Sequence, residues 1–367
     1  MSRVVVGMSG GVDSSVTAAL LKEQGHEVIG LFMKNWEEQD ASGNCSSAKD
    51  YEDVVRVCEK LDIPYFAVEF VKEYRDNVFK HFVEQYEAGY TPNPDILCNK
   101  EIKFDVFLKR ALALGADFLA TGHYARVLRS DSGTVALGRG LDQSKDQSYF
   151  LHAVNSKALS KVLFPVGELQ KSEVREIARR YDLATKDKKD STGICFIGER
   201  DFRDFLSKYV PAKPGAFCTL AGERVGEHVG SAFYTLGQRK GLGLGGQGEP
   251  WFVVAKDPSN NVVYVERGIE HDALYARELW AKDATWVAGN PLEKVASLRA
   301  TAKVRYRQQD QACEVSSDAD GLISVSFDEE QRAVTPGQFV VFYNGDECLG
   351  GAVIDRVGPT LWERKRS

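Results

Sequence analysis

Along the first two hundred residues the apolar positions switch repeatedly between strand-like and helix-like spacing. Val4–Val6 is a short β-branched run of the kind found in a buried strand. Residues 14–24 then place Val16, Ala19 and Leu20 on one helical face, and Gly25 stands where a helix is expected to stop. Val28–Met33 reads as the next strand. Residues 50–61 return to helical spacing through Tyr51, Val54, Val55, Cys58 and Leu61. Cys58 therefore falls on the apolar face as a structural residue. A strand over Ile63–Phe70, helices over 74–88 and 104–114, and a short buried strand over Asp117–Thr121 complete the series. Repeated strand–helix–strand units predict an α/β domain with a parallel sheet covered by helices. In such sheets ligands bind beyond the carboxyl ends of the strands. Ser9–Ser14 and Gly122-His123 both follow strands and are expected on that edge.

Helical spacing continues through Val174, Ile177, Ala178 and Tyr181, and again over 201–209. The texture changes near Pro211, Pro214 and Gly215, and a glycine-rich stretch covers Gly241–Gly248. From about residue 274 the pattern alternates: Val295–Val304, Leu322–Phe327, Phe339–Tyr343 and Cys348–Ile354, with Asn344-Gly345 as a turn. Three domains are expected. Residues 1–200 form an adenine-nucleotide α-hydrolase-like parallel-sheet domain, 201–273 a small central domain, and 274–367 a C-terminal β-barrel.

Composition adds limits. Of 367 residues, 43% are hydrophobic and 27% charged, as in an ordinary globular protein. No apolar run is long enough to span a bilayer, and Met1–Val4 leads directly into a strand without a signal-peptide layout, so the chain reads as cytoplasmic with no membrane partner. The cysteines, at 45, 58, 98, 195, 218, 313 and 348, are odd in number and form no C-x-x-C pair. That argues against a disulfide framework and against a zinc ribbon. The net charge of −6 argues weakly against nucleic acid, but binding depends on local patches. Basic clusters lie at Lys186–Lys189, Arg239-Lys240, Arg305/Arg307 and Arg364–Arg366. Taken singly, each reads as a solvated face.

Three segments stand apart from core. The first is Gly7, Met8, Ser9, Gly10, Gly11, Val12, Asp13 and Ser14, between a strand and a helix. Gly10 and Gly11 allow a tight turn and close backbone approach. The N–H groups and dipole of the following helix favour an anion there. The loop lacks the lysine of a Walker A motif and is not G-x-G-x-x-G, so it is a phosphate cradle of another kind. The second segment is Thr91–Asn99, where Pro92 and Pro94 stiffen a loop that fixes Asn93, Asp95 and Cys98 in relation to one another. The third is Lys189–Phe196, where Cys195 follows a polar glycine-containing turn near basic residues, surroundings that favour thiolate. For a lone cysteine, burial as a small core residue is the competing reading; Cys45, Cys58, Cys218, Cys313 and Cys348 keep it.

These residues resemble the bacterial tRNA-specific 2-thiouridylases, within the ATP-pyrophosphatase-loop superfamily. The likeness runs through Gly-Met-Ser-Gly-Gly-Val-Asp-Ser at 7–14, Leu-Phe-Met-Lys-Asn-Trp-Glu at 31–37, Thr-Pro-Asn-Pro-Asp-Ile-Leu-Cys-Asn-Lys-Glu-Ile-Lys-Phe at 91–104 and Ala-Thr-Gly-His-Tyr at 120–124. It continues through Lys-Asp-Gln-Ser-Tyr-Phe-Leu at 145–151, Asp-Ser-Thr-Gly-Ile-Cys-Phe-Ile-Gly-Glu-Arg at 190–200, Thr-Leu-Gly-Gln-Arg-Lys-Gly-Leu-Gly at 235–243, Arg-Tyr-Arg-Gln at 305–308 and Thr-Pro-Gly-Gln at 335–338. The loop alone points only to the superfamily; the two cysteine segments narrow it.

The resemblance implies ATP-dependent 2-thiolation of the wobble uridine of tRNA. ATP adenylates the C2 oxygen, with Gly7–Ser14 holding phosphates, Met33 and Gly122 lining the adenosine site and Asp13 helping to bind Mg²⁺. Cys195 carries persulfide sulfur, and Cys98 completes transfer through a Cys98–Cys195 disulfide. Asp95 is a proton carrier near the base. An iron–sulfur cluster on Asp95, Cys98 and Cys195 is the less favoured alternative, because three ligands are fewer than the usual four. Asn93, Pro94 and Asp95 meet the target base, and His123, Lys145, Asp146, Gln147, Arg305, Tyr306 and Gln338 contact tRNA. The implied partners are tRNAs of the Lys, Glu and Gln type and a sulfur-relay carrier fed by a cysteine desulfurase. Two other readings stay open: an ATP-pyrophosphatase enzyme using an amine nucleophile or thiolating another tRNA position, and an RNA-binding protein with an inactive nucleotide loop.

Overall fold

A computed structural model describes residues 1–37, 46–131, 133–190 and 201–367. Strand β1 (Arg3–Met8) leads into helix Val12–Glu23, and β2 (Glu27–Lys34) into helix Ser46–Leu61. After β3 (Tyr65–Glu69) the chain is helical from Val71 to Glu87, with a π-helical turn over Arg75–Phe79. A second helical run extends from Pro94 to Ala113 and leads to β4 (Phe118–Ala120). A hairpin follows, β5 (Ala125–Arg129) with β6 (Val135–Arg139), and then a two-residue strand, β7 (Val162–Leu163). The first sheet has the order β3-β2-β1-β4-β7 and is parallel throughout.

Alternation along β1 sends its valines to opposite faces, because successive strand side chains point to opposite sides. Val4 and Val6 pack with Val16, Ala19, Val54 and Cys58 on one face; Val5 packs with Leu31, Tyr74, Phe107 and Leu119 on the other. Both faces are therefore covered, as the sequence pattern predicts. Cys58 is fully buried, and burial pushes its thiol up to about 12. Helix Val12–Glu23 ends as expected, with Gly25 at φ +79°.

Two elements differ from the sequence reading. The helix assigned to 104–114 starts ten residues earlier, at Pro94. Hairpin β5–β6, which the apolar pattern does not predict, lies outside the parallel sheet.

The central region forms a four-stranded sheet from β8 (Gly215–Cys218), β9 (Arg224–His228), β10 (Trp251–Asp257) and β11 (Val262–Arg267), in the order β10-β11-β8-β9. The last region comprises β12 (Tyr275–Trp286), β13 (Ser297–Lys303), β14 (Gln311–Ser317), β15 (Ile323–Arg332), β16 (Phe339–Asn344) and β17 (Glu347–Val357). Their order, β12-β15-β14-β13-β16-β17, closes through β12–β17 pairing into a barrel. Leu279, Ala302, Val315, Val325, Phe342 and Ile354 fill it. Hairpin β5–β6 extends this barrel sheet: Leu137 pairs with Cys348 and Gly138 with Glu347. Beneath the junction, the Arg139 guanidinium lies 3.7 Å from the Tyr343 ring centre and 2.7 Å from Asp310. Among the described residues no helix is long and apolar enough to cross a membrane.

Candidate active site

Strand β1 ends at Met8 and the next helix starts at Val12, so the turn itself is only Ser9-Gly10-Gly11. Gly10 has φ +73°, and a Cβ there would lie 2.5 Å from the Asp50 carbonyl oxygen. Both the conformation and the space require glycine. Ser14 Oγ donates to the Gly11 carbonyl (3.2 Å) and accepts from Ser9 N–H (3.2 Å), while Ser15 Oγ also donates to Gly11 (2.8 Å). These hydroxyls tie the turn to the helix start, whose first N–H groups have no intrahelical partner. Gly7 is backed by Phe107, and Gly122 by the Asp13–Ser14 main chain. Met8 and Val12 are buried, and Met33 packs on the core below.

At the mouth of this turn lies an ionic network. Lys171 Nζ is 2.7 and 2.9 Å from the two Asp13 carboxylate oxygens and 2.9 Å from Asp190. Tyr124 donates its hydroxyl to Asp13 at 2.8 Å. Asp190 also meets Lys145 (2.9 Å) and Arg175 (2.7 Å). Burial works against the Asp190 charge, but hydrogen bonds and charge from Lys145 and Lys171 outweigh it and hold the carboxyl at about 2. Lys188 donates to the Gly10 carbonyl at 2.9 Å while pairing with Asp50 and Asp53. Asp13 shares the Lys171 ammonium with Asp190, and its carboxylate is the group that would meet a Mg²⁺ brought in on ATP phosphates. Among the described residues no group of three His, Cys, Asp or Glu side chains could hold a metal ion.

The second pole of the site is the helical run from Pro94. Thr91–Asn99 is not the stiff loop that its prolines predict. Asn93 caps a helix, accepting from Asp95 N–H at 3.2 Å, and Pro94 takes the first helical position. Asp95 and Cys98 therefore sit one turn apart on a helix. The run becomes π-helical over Cys98–Phe107 and kinks at Phe104. Cys98 is buried, at 2% exposure. Asp95 is pushed up by burial, against the pull of the Lys103 ammonium. His123 accepts burial only as a neutral ring: desolvation and Lys103 hold it well below its usual range. Its Nδ1 is 2.8 Å from Thr121 Oγ1 and its Nε2 faces Lys103 Nζ at 3.5 Å. An ammonium only donates, so Nε2 carries the lone pair and Nδ1 the proton. Cys195 and Cys45 lie outside the described residues, so the Cys98–Cys195 pairing and any cluster using Cys195 do too.

The remaining candidates come together from distant stretches. Gln338 donates to the Thr91 carbonyl, and Thr91 N–H reaches Pro336 at 3.4 Å, placing the barrel loop beside Asn93. The Tyr306 ring lies 4.4 Å from that of Phe150, and its hydroxyl reaches the Lys145 carbonyl at 3.4 Å. Gln147 accepts from Tyr124 N–H at 3.0 Å, linking this segment to the nucleotide turn. Asp146 is buried and accepts from Gly140 N–H, Ser148 N–H and Ser148 Oγ. Arg305 donates to the Leu236 and Ala333 carbonyls at 3.1 and 2.8 Å, bridging the central region and the barrel.

Family models match the chain in three consecutive pieces. A model described as tRNA methyl transferase HUP domain covers residues 2–199, tRNA methyl transferase PRC-barrel domain covers 203–267, and aminomethyltransferase beta-barrel domain covers 276–354. The tRNA-specific 2-thiouridylase MnmA of Protochlamydia amoebophila (strain UWE25) is 61% identical over 364 residues, spanning 99% of this chain and 96% of that protein. This chain belongs to the tRNA-specific 2-thiouridylase family. The Bacillus subtilis (strain 168) member is 58% identical over 364 residues, 98% of each chain.

In this thiouridylase-family chain the parallel sheet and the hairpin β5–β6 both lie within the HUP match, although the hairpin pairs with the barrel. Lys103, Tyr124, Lys171 and Arg175 were not singled out from sequence. Lys103 and Tyr124 stood inside motifs, which was signal enough to weigh them. Lys171 opens an amphipathic helix, and nothing local marks it. The basic clusters are largely paired: Lys186 with Asp182, Lys188 with Asp50 and Asp53, Arg364 with Glu330, and Lys365 with Asp272.

Proposed function

We propose that this chain is a tRNA-uridine 2-sulfurtransferase, replacing the C2 oxygen of the wobble uridine with sulfur at the expense of ATP. One observation supports the reading most. The phosphate turn and the helix bearing Asp95 and Cys98 converge on one sheet edge, with Phe107 against Gly7 and Lys103 against His123. Binding of ATP falls to Gly7–Ser14, Met33 and Gly122. Helix-start N–H groups receive the phosphates.

The uridine 2-carbonyl oxygen attacks the α-phosphorus, the α–β phosphoanhydride bond breaks and pyrophosphate leaves. The base then carries an adenylate at O2. The terminal sulfur of a Cys195 persulfide attacks C2, and AMP leaves with the oxygen. The Cys98 thiolate attacks the Cys195 sulfur, breaking the sulfur–sulfur bond to release 2-thiouridine and leave a Cys98–Cys195 disulfide. An external thiol reductant restores both cysteines. Asp95, raised by burial, carries the proton beside the base. No step is assigned to Mg²⁺ or to an iron–sulfur cluster.

The target uridine is splayed from its loop to reach Asn93–Asp95. His123, Lys145, Gln147, Arg305, Tyr306 and Gln338 hold the surrounding RNA, in tRNAs of the Lys, Glu and Gln type, while the buried Asp146 fixes the 145–147 segment from beneath. A carrier supplied by a cysteine desulfurase delivers the sulfur, in the cytoplasm. The functional units are 1–200, 201–273 and 274–367. The test is nucleoside analysis of tRNA incubated with the protein, ATP and a sulfide source. 2-Thiouridine is expected only when ATP is present; its absence with folded protein refutes the proposal.

A further inference from the structure

We infer that Lys171 is a phosphate ligand of the nucleotide site, kept ready between Asp13 and Asp190. The inference rests on the ATP reading above and adds a residue to it. Lys171 is the first residue of helix Lys171–Arg180, and its own N–H is anchored on Asp142 at 3.0 Å. Its side chain is only 12% exposed and delivers the ammonium to Asp13, in the first turn of the helix that follows the Gly10-Gly11 turn. The ammonium therefore stands beside the N–H groups that face an incoming anion.

The ion pairs around Lys171 are arranged so that it can be released to a polyphosphate. Lys171, Lys145 and Arg175 converge on Asp13 and Asp190, with the Asp142 carboxylate held on the Lys171 main chain. Handing Lys171 to a phosphate leaves neither carboxylate bare. Asp190 keeps Lys145 and Arg175, and Asp13 keeps the Tyr124 hydroxyl. A lysine serving only as a strut between two acids would not need those second partners. The compact, flexible ammonium suits a point contact to phosphate.

The full-length protein tests this in two arms: equilibrium binding of ATP, and binding of tRNA without ATP. Lys171→Met is expected to weaken ATP at least about tenfold, the equivalent of one charge-assisted hydrogen bond. Its tRNA affinity and melting temperature should stay near wild type, and Lys171→Arg should recover most of the ATP affinity. Lys186→Met, which removes a surface pair with Asp182, should leave both arms unchanged. Unchanged ATP affinity in Lys171→Met overturns the inference, as does a parallel loss of ATP and tRNA binding with a lowered melting temperature. If Lys171→Met does not fold, Lys171→Gln is read by the same criteria. Wild-type protein that binds ATP but makes no 2-thiouridine would overturn the thiolation reading while leaving the Lys171 measurement intact.

Discussion

At Gly122 the nucleotide turn has no spare room. A Cβ added there would lie 2.7 Å from Ser14 N, 2.8 Å from Asp13 C and 3.0 Å from Asp13 Cβ. Ordinary contact begins at 3.4 Å, so the helix start must retreat by about 0.7 Å (3.4 − 2.7). Two of the three obstructing atoms are main chain, so no rotamer change relieves the clash. The displaced atoms belong to the turn proposed above to receive the ATP phosphates on its N–H groups. A misplacement near 1 Å in a reacting site lowers rate by up to about 100-fold. Gly122→Ala is therefore expected to reduce kcat/KM for ATP in tRNA thiolation by roughly 10- to 100-fold, or about 1.4 to 2.7 kcal/mol of transition-state stabilisation. Overpacking should lower stability by about 1–3 kcal/mol, leaving a folded protein. Gly245→Ala is the control, because its Cβ would meet nothing within 4 Å. The assay is steady-state thiolation across ATP concentrations, paired with thermal melting. Wild-type kinetics in a folded Gly122→Ala protein would refute the packing argument, and so would an equal loss in Gly245→Ala.

Cys98→Ala and Cys195→Ala should each abolish 2-thiouridine formation while ATP and tRNA binding persist; full modification by either variant, read by nucleoside analysis, would contradict the sulfur-transfer scheme. His152 is buried with Nδ1 on the Tyr149 carbonyl at 2.8 Å and no partner for Nε2 among the described residues, and burial chiefly lowers it from 6.5 to about 4. The unfolded chain binds this proton first on acidification, so stability should be full above about pH 6.5 and fall by roughly 3 kcal/mol as pH drops through the folded value; chemical denaturation of wild type and His152→Gln checks it, and identical pH profiles would exclude the assignment. Cys58→Ala should cost about 1 kcal/mol of stability as a small core truncation, with thiolation per folded molecule unchanged; a catalytic loss at an unchanged melting temperature would place Cys58 in the site instead.

The parallel sheet was legible because its central strand β1 is buried on both faces. Val4–Val6 carries β-branched side chains at three consecutive positions, a pattern that survives without any tertiary information. The turn at Gly10-Gly11 was legible because its residues are dictated locally by φ and by space. Thr91–Asn99 was misjudged for an equally local reason. Proline stiffens a loop but also suits the first turn of a helix, and Asn93 with Pro94 supplies the cap and the start. Hairpin β5–β6 was invisible because its partner strand lies some two hundred residues downstream, and no local pattern encodes that pairing. Lys171 was hidden in the same way: its significance comes from Asp13 and Asp190, which only the fold places beside it.

That long-range pairing also explains how residues from separate regions can act at one site. The β6–β17 ladder makes the barrel a continuation of a hairpin that starts one residue after Tyr124. Tyr124 in turn bonds Asp13 through its hydroxyl and Gln147 through its main chain. Tyr306 and Gln338 rest on Lys145 and Thr91 from the barrel side. The nucleotide turn, the Asp95–Cys98 helix and the barrel loops are thus connected by hydrogen bonds rather than by a linker. In the reaction proposed above, where an activated uridine must meet a sulfur nucleophile before water does, fixed geometry matters more than affinity. The barrel's contribution is then positional. It holds Gln338 against Thr91, just ahead of the Asp95–Cys98 helix, and Tyr306 against the Lys145 segment, so the residues proposed to meet RNA and target base share one rigid frame.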